Sequence, residues 1–182
     1  MNKLYETARI FVTFFDRELA KGEDYNRWLV DPEIAKFNTH GLFPYTESEK
    51  EAFLSSIEKH EKIVWAVFLK NNDNGSYNPK HVGNISLDRL NFIYHSAEMG
   101  FMFDKEVWGK GIATEAGKLL VDFGFKRLAL HRIWLCTAEI NIGMQKVAEK
   151  IGFQKTGVFR EAMYLCGQYM SAYHYDILRS EW

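Results

Sequence analysis

Cysteine is scarce in this chain. The two present, Cys136 and Cys166, lie far apart, with no CxxC and no Cys/His cluster beside either. That spacing supports neither a zinc site nor a disulfide framework, and it points to reduced thiols. Charge of one sign is also lacking: 23 Lys and Arg stand against 24 Asp and Glu, for a net charge of -1. No global basic field draws in nucleic acid. No stretch approaches the ~18 consecutive apolar residues of a membrane-spanning helix. The opening MNKLYETARI has no apolar signal core followed by a small-residue cleavage site. Internal repeats and low-complexity segments are absent as well. These absences set an expectation of a cytoplasmic protein with no metal, no nucleic acid and no membrane among its partners. The 182 residues, 47% apolar and 26% charged, suit one domain over 1–182.

What is present reads as strands and helices in alternation. Ile10, Val12 and Phe14 alternate as in a half-buried strand. Asp31-Pro32 reads as an N-cap followed by proline at the first helical position. Thr46 and Glu49 have capping-box spacing and open a helix toward His60, with Phe53 and Ile57 on one face. Turn formers crowd Asn71–Lys80 into a long hairpin-type connection. Val64–Leu69 and Val82–Leu87 are short apolar strands, and Ala97, Met99, Phe101 and Phe103 alternate in a third. After Trp108 the period changes: Ile112, Ala116, Leu119, Leu120 and Phe123 follow helical spacing. Arg132–Thr137 is a compact strand. Met144, Val147, Ala148 and Ile151 form a second amphipathic helix, stopped by Gly152. Thr156–Leu178 gives two strands turning at Cys166-Gly167. The order β, α, α, β, β, β, α, β, α, β, β predicts an α/β (α+β) mixed sheet with helices between strands, not an all-parallel doubly wound one.

The stretch from Glu98 to Glu115, EMGFMFDKEVWGKGIATE, carries the chemistry. A strand runs into a glycine-rich turn, and the turn into a helix. The first N–H groups of a helix have no internal partners, and the macrodipole places about half a positive charge there. Gly109 and Gly111 let a phosphate approach the backbone, and Lys110 adds a cation. The pattern is neither GxxxxGK[ST] nor GxGxxG, so both standard nucleotide fingerprints are absent.

Taken with what surrounds it, this stretch resembles the GNAT superfamily of acetyl-CoA-dependent N-acetyltransferases, and within it the RimJ/RimL-type branch of ribosomal-protein N-terminal acetyltransferases. Trp108 through Ala116 resembles the branch's pyrophosphate loop, and Ala97 through Phe101 the strand before it. Asn141 through Phe153, NIGMQKVAEKIGF, resembles the second motif. Gly157, Arg160-Glu161, Gly167-Gln168-Tyr169 and Ile177 through Trp182 resemble the C-terminal strands. One departure is Met144, where the branch commonly has a serine proposed to protonate the departing CoA thiolate. Methionine cannot donate a proton.

The resemblance implies a GNAT-like fold: a central, mostly antiparallel sheet with splayed middle strands, flanked by about four helices. CoA would enter between those strands. Backbone groups of Phe101, Met102 and Phe103 would pair with the pantetheine arm like an added strand. Trp108, Gly109, Lys110, Gly111, Ile112, Ala113 and Thr114 would hold the pyrophosphate. Asn141 would bond the pantetheine amides, a role open beside that of a helix N-cap. Lys146 and Lys150 would face phosphate or simply solvent. The implied reaction is direct attack of a primary amine on the thioester in a ternary complex. An alkylammonium of pKa about 10.4 is neutral in only ~1 molecule in 2,500 at pH 7, a cost of about 4.6 kcal/mol; a peptide α-amine near pKa ~8 needs only about 1.4 kcal/mol. A carboxylate or a water chain in the site would supply the base that meets this cost. Glu98 is the first candidate and Glu139 the second, with an edge salt bridge as the alternative role for Glu98. His40 and His95 are weaker candidates. For protonation of the departing thiolate, Tyr169, Tyr173 and Tyr175 offer hydroxyls, with packing the alternative for the last two.

Trp28, Phe37, Phe43, Tyr45 and Trp65 are candidates to line the acceptor pocket, but with aromatics at 15% of the chain most of them must be core. The acceptor itself stays open between a protein N-terminal α-amine, an amino sugar and another small amine. A homodimer through the aromatic tail strands is a further expectation. The competing class is a catalytically inactive CoA-binding or regulatory module, which Met144 favours. A nucleotide-binding domain without acyl chemistry is the third.

Overall fold

In the computed structural model the described residues are 2–37, 46–70, 72–73 and 76–182. His40, Phe43 and Tyr45 lie outside them. The chain opens with β1 (Tyr5–Glu6) and β2 (Ile10–Phe14), an antiparallel hairpin. Then come α1 (Arg17–Lys21), α2 (Glu23–Val30), α3 (Pro32–Ala35) and α4 (Glu47–Glu58). β3 (Ile63–Leu69) precedes a minor hairpin of β4 (Asn72–Asp73) and β5 (Ser76–Tyr77). β6 (Lys80–Asn91), β7 (Ser96–Phe103), α5 (Ile112–Arg127) and β8 (Arg132–Ala138) follow. α6 (Ile142–Ile151), β9 (Gln154–Leu165) and β10 (Gln168–Leu178) complete the fold.

The main sheet has eight strands in the order β1-β2-β3-β6-β7-β8-β10-β9. Every neighbouring pair is antiparallel except β7 and β8, which run parallel. The expected mixed, mostly antiparallel sheet is therefore present. Its parallel pair needs a crossover, and α5 supplies it.

Two apolar clusters hold the layers together. On one face α5 and α6 bury Ile112, Ala116, Leu120, Val121 and Ile151 against Leu87, Ala97, Met99, Ile133, Leu135 and Tyr175. Each fully buried large side chain contributes about 2 kcal/mol of transfer free energy. On the other face the N-terminal helices cover Phe11, Val64, Ala66 and Phe68 with Tyr25, Trp28, Leu29 and Leu54. This second cluster stops at Met102 on β7, which packs against its margin.

The N-terminal third differs from expectation. Six α-helices stand among the described residues against the four or so expected. Arg17–Val30 forms two of them, with the Asp16 carboxylate accepting from the Leu19 N–H at 2.9 Å to start the first and Gly22 separating them. The helix opened by Asp31-Pro32 lasts only four residues. Trp28 and Trp65 are completely buried. They are core residues rather than pocket lining, because large aromatics repay burial most when fully enclosed.

The second cluster encloses His81. Its ring lies 4.9 Å from the Trp28 ring and 5.1 Å from the Phe68 ring, and its Nε2 lies 2.9 Å from the Asn84 Oδ1. Burial pushes the imidazole below its ordinary value, against the smaller opposing effect of the Asn84 and Gly83 hydrogen bonds. The unfolded chain then binds a proton at a higher pH than the folded one. Stability should fall as pH drops below about 6.5, where an unfolded histidine charges. The urea midpoint of the native protein should decline between pH 7 and pH 5.5 more steeply than that of His81→Phe; parallel declines would remove His81 as the cause.

Candidate active site

The parallel pairing of β7 with β8 is short. It joins Ser96 to Arg132, Ala97 to Ile133 and Glu98 to Trp134, and goes no further. β7 continues to Phe103, paired only with β6 on its other side, and β8 continues to Ala138, paired only with β10. The two strands therefore part after Glu98. Among the described residues, no strand takes up the backbone groups on this edge of β7 from Met99 to Phe103. An unpaired strand edge is a template for an extended, amide-bearing ligand. The Phe103 carbonyl already accepts from the Trp108 indole N–H at 3.0 Å. The open run is thus Met99–Met102, which holds Phe101 and Met102 of the three expected residues and starts two residues earlier.

Beyond Phe103 the chain turns through a short 3-10 segment, Lys105–Val107, into the glycine loop. Gly109 has φ 73° and Gly111 has φ 78°, in the left-handed region that glycine enters without cost. Gly111 caps α5 without a side-chain hydrogen bond. The first helical bond runs from the Glu115 N–H to the Gly111 carbonyl at 3.0 Å, so the N–H groups of Ile112, Ala113 and Thr114 point out of the helix end. A Cβ placed on Gly109 would meet nothing within 4 Å. The space above the loop is open, and donors and the helix dipole face it. Lys110 is exposed beside it. The Ile112 side chain is buried in the core, so only its backbone faces the loop. The residues present fit the pyrophosphate and pantetheine of CoA.

Asn141 stands across the gap, at the start of α6. Its Oδ1 accepts from the Met144 N–H at 3.2 Å, so it caps the helix as one of the two readings expected. Its carboxamide NH2 makes no hydrogen bond among the described residues, and the cap therefore leaves a donor for a ligand. Lys146 and Lys150 are exposed on the same helix.

On the sheet face away from α5, the apex of the gap is polar. Ala97 and Met99 belong to the α5 cluster, so alternation turns Glu98 to the opposite face. There it sits across from Asp88 on β6 and beside Trp134 on β8. The Ser86 hydroxyl donates to Asp88, and a Cβ on Gly100 would lie 2.5 Å from the Ser86 Oγ, so a side chain there would have to displace that hydroxyl. The Arg89 Nε lies 2.9 Å from Glu98, with the Arg89 side chain largely exposed and Glu98 three-quarters buried. Burial pushes the Glu98 carboxyl up; Arg89 pulls it back in part, and the Asp88 charge pushes it up again, leaving it above its ordinary value. A carboxylate so placed is both basic and close to solvent exchange. Cys136 lies near it, its thiol pushed up by burial first and by the Glu98 charge second. The Trp134 and His174 rings stack at 5.1 Å and 16° to continue this face along β8 and β10.

Glu139 is placed differently. Its carboxylate accepts from the Ser171 N–H at 2.8 Å, and its own N–H donates to the Ser171 carbonyl at 2.9 Å. That side chain is committed to the backbone of β10. His95 is exposed in the β6–β7 turn, its carbonyl bonded to the His131 and Arg132 N–H groups. Tyr175 is buried in the core, Tyr173 lies under the Lys155 ammonium at 3.0 Å, and Tyr169 is exposed against Tyr164.

Asp104, directly after β7, was not among the expected residues. It is buried, and its Oδ2 accepts from the Trp28 Nε1 at 2.8 Å and the Arg27 Nη2 at 2.6 Å, while its Oδ1 accepts from the Glu106 N–H at 2.9 Å. Burial pushes its carboxyl up, but the Glu106 and Trp28 donors and the Arg27 and Lys80 charges together hold it below its ordinary value. The carboxylate fastens α2 to the end of the open strand. Asp104→Ala would strand the buried Trp28 N–H and remove the Glu106 cap, at about 2–4 kcal/mol. A loss of less than about 1 kcal/mol of unfolding free energy by chemical denaturation would show that the link is dispensable.

A family model described as an acetyltransferase (GNAT) domain matches residues 15–154, and the chain belongs to that family. It is an acetyl-CoA-dependent acyltransferase. An uncharacterized N-acetyltransferase of Bacillus subtilis, YnaD, is 29% identical over 176 residues, 97% of each chain. A putative ribosomal N-acetyltransferase of the same organism, YdaF, is 36% identical over 106 residues, 58% of each. Among solved structures, the spermidine N-acetyltransferase from Vibrio cholerae in complex with CoA and spermine superposes with a TM-score of 0.81 at 22% identity, covering 96% of this chain and 98% of that one.

Proposed function

We propose that this protein transfers the acetyl group of acetyl-CoA to a primary amine by direct attack in a ternary complex, with Glu98 as general base. The observation that carries the reading is the parting of β7 and β8 directly after Glu98. It sets a largely buried carboxylate of raised basicity at the apex of a gap whose one edge is an open strand. When bound, acetyl-CoA supplies the activated thioester carbonyl. The Met99–Met102 edge offers amides and carbonyls to the pantetheine arm. The N–H groups of Ile112, Ala113 and Thr114, with Gly109, Lys110 and Gly111, hold the pyrophosphate, and Asn141 donates from its free NH2. Trp108 fixes the turn through the Phe103 carbonyl. Glu98 accepts the ammonium proton, which at pH 7 must leave before the amine can attack. Glu139, bonded to the β10 backbone, steadies the far wall.

The acceptor side takes in primary amines of two kinds: a protein N-terminal α-amine, as the RimJ/RimL-like features of Trp108–Ala116 and Asn141–Phe153 suggest, and a small amine such as the one named for the Vibrio cholerae protein. Calorimetric titration with acetyl-CoA, with ATP and NAD as controls, tests the cofactor. Micromolar binding of acetyl-CoA alone is the expected result, and equal binding of ATP would sink it. Thiol release against a panel of an α-amino peptide, a polyamine and an amino sugar then tests transfer. Silence across the panel would favour the non-catalytic module that Met144 suggests.

A further inference from the structure

The glycine loop does not stand alone. The turn between β1 and β2 reaches across the sheet and grips it. Arg9 donates from its Nε to the Glu115 Oε2 at 2.7 Å and from its Nη1 to the Lys110 carbonyl at 2.9 Å, and its Nη2 also bonds Glu115. The Thr7 hydroxyl bonds the other Glu115 oxygen. The turn is itself fixed: the Thr7 N–H donates to the Ile10 carbonyl at 2.9 Å, and the Lys70 Nζ donates to the Thr7 carbonyl at 2.6 Å. A Cβ on Gly111 would lie 3.6 Å from the Arg9 Nη2. The guanidinium thus lies against the loop that frames the proposed pyrophosphate site, with half its side chain exposed.

We infer that Arg9 is a positioning residue for CoA binding: it holds the Lys110 carbonyl to one side and cancels the Glu115 charge beside the phosphate site. The inference rests on the reading that the Gly109–Thr114 loop holds the pyrophosphate. Two physical reasons support it. A peptide carbonyl turned into an anion site repels the anion, and Arg9 gives the Lys110 carbonyl another partner. Glu115 lies in the first turn of α5. There a carboxylate suits the helix dipole, yet it opposes a phosphate at the same helix end. Pairing with Arg9 keeps the first benefit and removes the second cost. Arginine is suited to this because its rigid fork can serve a carboxylate and a carbonyl together.

The test compares acetyl-CoA with S-acetyl-pantetheine, which has the thioester arm but no phosphates. For Arg9→Ala, the calorimetric Kd of CoA should rise at least tenfold, and the ratio of kcat/KM for acetyl-CoA to that for acetyl-pantetheine should drop by a similar factor. Arg9→Lys, which keeps the charge without the fork, should fall between. Adding Glu115→Gln to Arg9→Ala should recover part of the lost affinity, because the unpaired charge is then gone. A native protein with no preference for acetyl-CoA over acetyl-pantetheine would overturn the pyrophosphate reading of the loop. A native protein that has the preference, with Arg9→Ala keeping it in full, would overturn the role of Arg9 alone. Equal losses with both thioesters, and no recovery in the double variant, would show a merely structural contact and also overturn it. Should Arg9→Ala fail to fold, Arg9→Lys carries the same comparison.

Discussion

Glu98→Gln should lower kcat by about a hundredfold or more while leaving the calorimetric affinity for acetyl-CoA within about twofold. Glutamine keeps the shape of the side chain and its place opposite Asp88 and beside Trp134, but it cannot accept the ammonium proton. General-base contributions run at about 10²–10⁴-fold, so the expected loss is about 3 kcal/mol of barrier. The pH dependence gives an independent sign. Burial raises the Glu98 pKa, more than Arg89 lowers it. The acid limb of kcat/KM should therefore lie above the ordinary carboxylate value and be missing in the variant. Stability should change little, because the ion pair that is lost has Arg89 as its largely exposed member. Full activity in Glu98→Gln would remove it as the base. A proportionate loss of acetyl-CoA affinity would mean that the residue shapes the cofactor cleft instead.

The parts of this site differ in how far the sequence discloses them, and the reason is the range of the interactions. The glycine loop is local. A strand, two glycines and an amphipathic helix in succession leave a readable pattern, and Gly109 and Gly111 take the positive φ angles that such a turn requires. Asn141 is local too, three residues from the N–H it caps. The parting of β7 from β8 has no local signature. Ala97 to Phe103 alternates as any strand would, and only the resemblance to a known fold placed a gap beside it.

The contacts that support the loop are the least legible. Arg9 and Glu115 stand 106 positions apart, and Trp28 and Asp104 stand 76 apart. Nothing in TAR or in FDK marks either pair. β9 is the last strand of the sheet, almost wholly exposed and without a buried alternate face, yet Thr156–Leu178 reads as two strands because of the turn between them. Its tight turn at Cys166-Gly167, with φ 53° and 79°, was the readable part. Aromatic content was a sound guide here: a chain that is 15% aromatic needs most of its rings in the core, and of the acceptor-pocket candidates Trp28 and Trp65 fill its two layers.

Gly111→Val should weaken acetyl-CoA binding by about a hundredfold. The residue sits at φ 78°, a region that costs an ordinary side chain about 1–2 kcal/mol and a β-branched one more. Space for the Cβ is adequate at 3.6 Å from Arg9, but the added methyl groups of valine have to displace that guanidinium. The backbone then relaxes out of its left-handed turn, and the N–H groups at the start of α5 turn away from the phosphate. Losing two hydrogen bonds to a charged group costs about 3 kcal/mol, which is about a hundredfold in Kd. The core beneath is set by Ile112, Ala116 and Leu120, so the circular dichroism spectrum should stay native. Gly111→Asn separates strain from bulk, since asparagine tolerates the left-handed region better than other residues. It should bind more tightly than the valine variant and more weakly than the native protein. Native affinity in Gly111→Val would show that the pyrophosphate does not rest on this loop, and the same measurement would then withdraw the ground beneath the role assigned to Arg9.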